Sequence, residues 1–279
     1  MVRWIACGML AAVASGCGGQ YILTVPDQVA PAGGEAACVV RLQRNDFFVL
    51  ALAVKKAAMR FQAGGGSERG AYTDELGYAG AAVPVPAAEG RYAMRVSHMD
   101  PEGEEIVVEA PAYVWPAEAP IAVVDLDFLP HRKGRTAEQA AAALGQLAQG
   151  NRILYFTRQS VRRHAALHKQ LGELGYPHGP ILLWQREHWH IVREGKYRIP
   201  RMVVESRLVS QLASLKRQFP HLHAGVCGTE LAARAFAAEG LDVVVVGSEK
   251  VTLPSAGGNP PALVRRASWA ELEQKGLDR

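Results

Sequence analysis

The residues whose types and spacing could do chemistry lie in the second half of the chain, at the ends of short apolar runs. Ile121 to Val124 leads into Asp125-Leu126-Asp127, Arg152 to Phe156 into Thr157-Arg158, and His223 to Val226 into Cys227-Gly228-Thr229-Glu230. In parallel sheets ligands bind beyond the carboxyl ends of the strands, so these are the positions where function is sought. A carboxylate pair two residues apart can set one oxygen against a phosphorus atom while the other manages the leaving-group proton. Magnesium between the pair and a phosphate would offset their mutual repulsion. The Thr157 hydroxyl and amide could hold phosphoryl oxygens. The plainer alternative is that the carboxylates cap a turn and Thr157 caps a helix.

Such residues need elements to hold them. Helix follows strand from Ile121 onward: strands at Ile121 to Val124, Arg152 to Phe156, Ile181 to Trp184, His223 to Val226 and Val243 to Val246 alternate with helices at Thr136 to Gln149, Gln159 to Leu174, Ser206 to Phe219 and Glu230 to Glu239. Continuous apolar strands between helices predict a doubly wound parallel sheet of the α/β class. Residues 20–115 instead show period-two runs broken by Gly, Pro and Asp, the pattern of a β-sandwich. Residues 116–120, Pro116-Ala117-Glu118-Ala119-Pro120, read as a linker.

Three resemblances attach to these segments. Residues 121 to 250 resemble the haloacid dehalogenase-like domain of phosphatidate phosphatases of the lipin and actin-patch type, and the related lipid-sensing domains of phosphatidylinositol transfer proteins. The matching text is Val123-Val124-Asp125-Leu126-Asp127, Leu154-Tyr155-Phe156-Thr157-Arg158, Gly179-Pro180-Ile181-Leu182-Leu183, and Leu215 to Pro220 continuing through Gly240-Leu241. The resemblance implies a domain over 121–279. It implies Asp125 as nucleophile, Asp127 as general acid/base, Thr157, Arg158 and Arg207 on the phosphate, and magnesium held by Asp125, Asp127 and Glu230. The chain departs from the pattern at Phe128 and Leu129, at Arg207 where the family's helix carries Lys, and at Gly228-Thr229-Glu230 where the family's Gly is followed by Asp or Asn and a further Asp. The second resemblance, Thr73-Asp74-Glu75-Leu76-Gly77-Tyr78-Ala79 with Gly90-Arg91-Tyr92, is to invasin-type bacterial Ig-like domains.

The third lies at the start. Arg3, the apolar Trp4 to Val13 and Ala14-Ser15-Gly16-Cys17 resemble a bacterial lipobox over residues 1–17, which implies cleavage before Cys17 and acylation of its sulfur. The implied location is the cell envelope, lipid-anchored and extracytoplasmic. The formal charge of +4 comes from dispersed Lys and Arg without interleaved aromatics, which argues against nucleic acid. Cys38 and Cys227 fall in different segments and predict no disulfide framework. His188-Trp189-His190 offers no third metal ligand, and the basic run Arg186 to Arg201 could rest on anionic headgroups. The resulting expectation is a membrane-anchored, magnesium-dependent phosphomonoesterase working through an aspartyl-phosphate. The alternative is a degenerate domain that binds anionic lipid headgroups, or an envelope scaffold.

Overall fold

The structure, a computed structural model, describes residues 20–46, 50–160, 163–194, 197–247 and 263–277. The lipobox-like start with Cys17 lies outside the described residues. In the first half, β1 (Gln20–Thr24), β2 (Gln28–Pro31), β3 (Glu35–Asp46), β4 (Leu50–Ala53), β5 (Ala58–Ala63), β6 (Arg69–Tyr72), β7 (Tyr78–Pro84), β8 (Gly90–Met99) and β9 (Glu105–Trp115) form two sheets. One carries β1, β3 and β4 with β7 beside β3; the other runs β2-β9-β8-β5-β6. All their pairs are antiparallel except β2 with β9. Alternation does the work here: Met59, Phe61 and Ala63 of β5 turn inward with Met94 and Val96 of β8, and meet Cys38, Val40 and Leu42 of β3 in one core. The turn into β7 is built by Asp74, whose Oδ1 accepts the amides of Leu76 and Tyr78, and by Gly77 at φ +79. A Cβ on Gly77 would lie 2.4 Å from the Leu42 carbonyl oxygen, so both backbone conformation and space demand glycine.

The second half runs β10 (Ile121–Asp125), α1 (Arg135–Leu147), β11 (Arg152–Thr157), α2 (His164–Glu173), β12 (Ile181–Leu183), β13 (Gln185–Glu194), β14 (Tyr197–Ser206), α3 (Leu208–Gln218), β15 (Leu222–Cys227), α4 (Glu230–Ala238), β16 (Asp242–Val246), β17 (Val264–Ala267) and α5 (Trp269–Lys275). Six of these strands make a parallel sheet in the order β12-β11-β10-β15-β16-β17, while β13 and β14 form a separate antiparallel pair. All residues of β10 are buried, as a strand covered on both faces must be. The Ala-rich α1 needs no strong cap to form, whereas the short α5 is started by a reciprocal capping box between Ser268 and Glu271.

The fold class expected from the sequence is corrected by this architecture. Among the described residues strand outweighs helix, and three of the four sheets are antiparallel or mixed. The parallel sheet is also not an independent layer wrapped in its own helices. On one face Ala122, Val124, Ile153 and Tyr155 pack against α1, α2 and α5. On the other, Val123, Leu154 and Phe156 share a core with α3, α4 and Val29, Tyr113 and Trp115 of the sandwich. Trp115 meets Phe219 edge-on at 6.2 Å between ring centroids. A doubly wound haloacid dehalogenase-like domain behind a separate Ig-like module is therefore not what the chain forms, because apolar surface at the end of β9 is buried against the helices. Elements outside the expected pattern are β2, β6, β17, α5 and the β13–β14 pair.

Candidate functional site

Asp125 ends β10 fully buried. Its Oδ1 accepts the Asp127 amide at 3.1 Å, which shapes the short 3-10 turn Leu126–Phe128, and its Oδ2 accepts the Thr229 hydroxyl at 3.1 Å. Thr229 caps α4 in turn by accepting the Ala232 amide. Burial, and then the charge of Asp127, push the Asp125 carboxyl up to about 6 against the hydrogen bonds from the Asp127 amide and Thr229.

Asp127 is fully engaged on the β11 side. Its Oδ1 accepts the Thr157 hydroxyl at 2.6 Å; its Oδ2 accepts the Arg158 amide at 2.9 Å and the Arg158 Nε at 3.0 Å. The Arg158 guanidinium also sits 5.2 Å from the Trp184 ring centroid, so it is held from two sides. Phe128 stacks on Trp269 at 5.5 Å, and a Cβ on Gly228 would fall 2.5 Å from its ring. The aromatic side chain therefore lies directly against the end of β15.

The structure thus brings Asp125, Asp127, Thr157 and Arg158 together, and does not bring Glu230 to them. Glu230 is partly exposed on the first turn of α4 and pairs with Arg234 one turn on. Among the described residues no three His, Cys, Asp or Glu side chains group to hold an ion. Magnesium does not fit the residues present: the cationic Arg158 already occupies Asp127, and Asp125 is buried behind its two donors. Cys227 is buried too, its thiol pushed up to about 12 by burial and then by Asp125, which leaves it inert.

The remaining sequence-predicted residue, Arg207, starts α3 and opens a different view of the site. Together with Arg158 and Arg41 it lines a cavity of about 390 Å³ between β3 of the sandwich and the β12–α3 edge of the parallel sheet. Gln159, Leu183 and Gln211 complete much of the wall. Asp27 also borders it, but its buried carboxylate is taken by His168 Nε2 at 2.7 Å and the Ile181 amide at 2.8 Å. Sequence reasoning missed Arg41 and Asp27, since nothing in a strand's alternation says which distant helix it will face.

No protein-family model matches the chain, and no curated protein does. Among solved structures it is similar to a carbohydrate acetylesterase from Xanthomonas citri, at 10% identity and TM-score 0.33, over 90% of this chain and 69% of that one. It is also similar to a cycloisomaltooligosaccharide glucanotransferase from Paenibacillus (10%, TM-score 0.28, 82% of this chain and 28% of that). A β-glucuronidase from Parabacteroides merdae matches at 11% and 0.30, over 82% of this chain and 34% of that. The chain thus spans about a third or less of the latter two proteins. Likenesses of this size define neither a family nor an activity. The resemblance to haloacid dehalogenase-like phosphatidate phosphatases is withdrawn: most of the sheets are antiparallel or mixed, and Glu230, the acid required beside Asp125 and Asp127, pairs with Arg234 instead. The descriptions phosphatase and hydrolase go with it.

Proposed function

We propose that the protein is a non-catalytic binding protein of the cell envelope that holds an anionic ligand in the cavity between the sandwich and the parallel sheet. The observation that carries this reading is the placement of Arg41, Arg158 and Arg207 around one cavity. Guanidinium groups make paired hydrogen bonds to phosphate or carboxylate oxygens, and the field of several cations in a partly enclosed space strengthens each contact. Asp127 acts as a positioning residue, fixing Arg158 through its backbone and side chain together. Of the charged residues that line the cavity three are Arg and one is Asp27, which leaves it basic in balance. The volume suits a small anion or a lipid headgroup.

Titration calorimetry with inorganic phosphate tests the site. Saturable binding should weaken about tenfold or more in Arg207→Ala, since a charged hydrogen bond contributes about 1.5–3 kcal/mol. Phosphate release from an aryl phosphate, or binding indifferent to the substitution, would overturn the reading. The envelope location belongs to the same proposal and rests on the lipobox-like residues before Cys17. Cys17→Ser should move the protein from the membrane to the soluble fraction, and unchanged partitioning would remove the anchor.

A further inference from the structure

The cavity that holds Arg41, Arg158 and Arg207 is not lined by cations alone. The helix α3 turns one polar stripe to it, because Arg207, Ser210, Gln211, Ser214 and Gln218 follow one another at steps of three or four residues. Leu208, Leu212 and Leu215 take the core-facing stripe beside it. The cation stands at the start of the polar stripe, and every residue after it is neutral.

That neutral stretch offers acceptors that the protein does not answer. The Oε1 atoms of Gln211 and Gln218 are buried with no hydrogen-bond partner among the described residues. On the sandwich side of the same cavity, Gln28 and Gln43 are more than nine-tenths buried. Each commits its Nε2 to a backbone carbonyl, Gln28 to Pro26 at 2.8 Å and Gln43 to Ala51 at 3.0 Å. Each amide is thereby fixed with its oxygen as the group left to offer. A buried acceptor without a donor costs free energy, and an occupant of the cavity can bring the missing donor. Inorganic phosphate is chiefly an acceptor, so it answers the arginines and leaves these oxygens unanswered.

We infer, on the reading that this cavity binds an anion, that its ligand is a phosphate ester of a polyol. The phosphate takes the guanidinium groups of Arg41, Arg158 and Arg207, and the hydroxyl groups donate to the amide oxygens along α3. A hydroxyl both donates and accepts, so it also suits Ser214. The length agrees, since Ser214 lies about 10 Å along the helix from Arg207, the span of a hexose with its phosphate. The same chemistry occurs in a free sugar phosphate and in the headgroup of phosphatidylglycerol.

Two matched pairs of probes test this on the full chain carrying Cys17→Ser, which no acyl group tethers. Glucose 6-phosphate is set against inorganic phosphate by titration calorimetry. Phosphatidylglycerol is set against phosphatidylmethanol, which lacks hydroxyls, by co-sedimentation with vesicles. The hydroxylated member should bind about tenfold tighter or more in one pair, and that pair identifies a soluble or a lipid-borne ligand. Gln211→Leu should cut the preference about fivefold, and should melt no lower than the parent because it removes an acceptor without a partner. A preference that survives Gln211→Leu while the melting temperature falls makes the amide structural and overturns the inference. No preference in either pair, with phosphate still bound, also overturns it and leaves the anion site standing. Binding of none of the probes removes the anion site itself, and the inference with it.

Discussion

At the residue scale, the Asp125 carboxylate sits where charge is disfavoured, since burial and the neighbouring Asp127 raise it to about 6. In the unfolded chain the group ionises near 3.8, so the folded state gives up stability as pH rises from that value to about 6, and the deficit is constant above. A shift of that size costs the charged form about 3 kcal/mol. Asn is nearly isosteric, keeps an oxygen for the Asp127 amide, and can donate to the Thr229 hydroxyl. Asp125→Asn should therefore stabilise the protein by about 2 kcal/mol at pH 7.5 and by almost nothing at pH 3.5. Urea denaturation at the two pH values checks this; destabilisation at pH 7.5 would mean that the ionised carboxylate is needed. Asp125 and Asp127 were legible in the sequence as a pair at a strand end. Their partners were only partly so, because the charge competing for Asp127 comes from Arg158, just past the end of the neighbouring strand.

At the scale of elements, the strands β10, β11, β15 and β16 were legible because continuous apolar runs have one reading when flanked by helices. The segment Gly179 to Leu183 was legible as text, but its reason is steric. A Cβ on Gly179 would lie 2.0 Å from the Ile153 carbonyl oxygen, inside the turn that delivers β12 to β11. Backbone cannot yield there as a flexible side chain can, so Gly179→Ala should cost about 3 kcal/mol or more by urea denaturation. A loss below about 1 kcal/mol would show that the loop into β12 can shift. What stayed illegible has physical causes as well. The short β2 and β17 form only because longer strands offer them an edge, which nothing in their own sequence announces.

At the scale of the whole molecule, the sequence divides at the proline-bounded segment 116–120, whereas packing joins the two halves. Val29, Tyr113 and Trp115 lie in one core with Leu212, Leu215 and Phe219 of the second half. Asp27, between β1 and β2, reaches α2 through His168 and β12 through the Ile181 amide. Burial acts to raise the Asp27 carboxyl, and the facing His164 and His168 with the Ile181 amide outweigh it, so the group rests below its ordinary value. His164 Nδ1 lies 3.8 Å from the carboxylate, so the direct bonds are those of His168 and Ile181. A lowered carboxyl adds stability that is present above its unfolded value of 3.8 and is lost as pH falls through the folded one. Tyr113, pushed up to about 12 by burial and then by Asp27, stays neutral throughout that range. Asp27→Asn should thus cost about 3 kcal/mol at pH 6, where it breaks a buried charged contact, with the difference from the parent shrinking as the solution is acidified below pH 4. The parent should unfold in a single transition by both tryptophan fluorescence and far-ultraviolet dichroism. If the two probes separate already in the parent, the halves are independent and the shared core contributes little. If they separate only in Asp27→Asn, the carboxylate is what couples the sandwich to the sheet, and loss of that coupling should widen the cavity lined by Arg41 and Arg207 and weaken phosphate binding there.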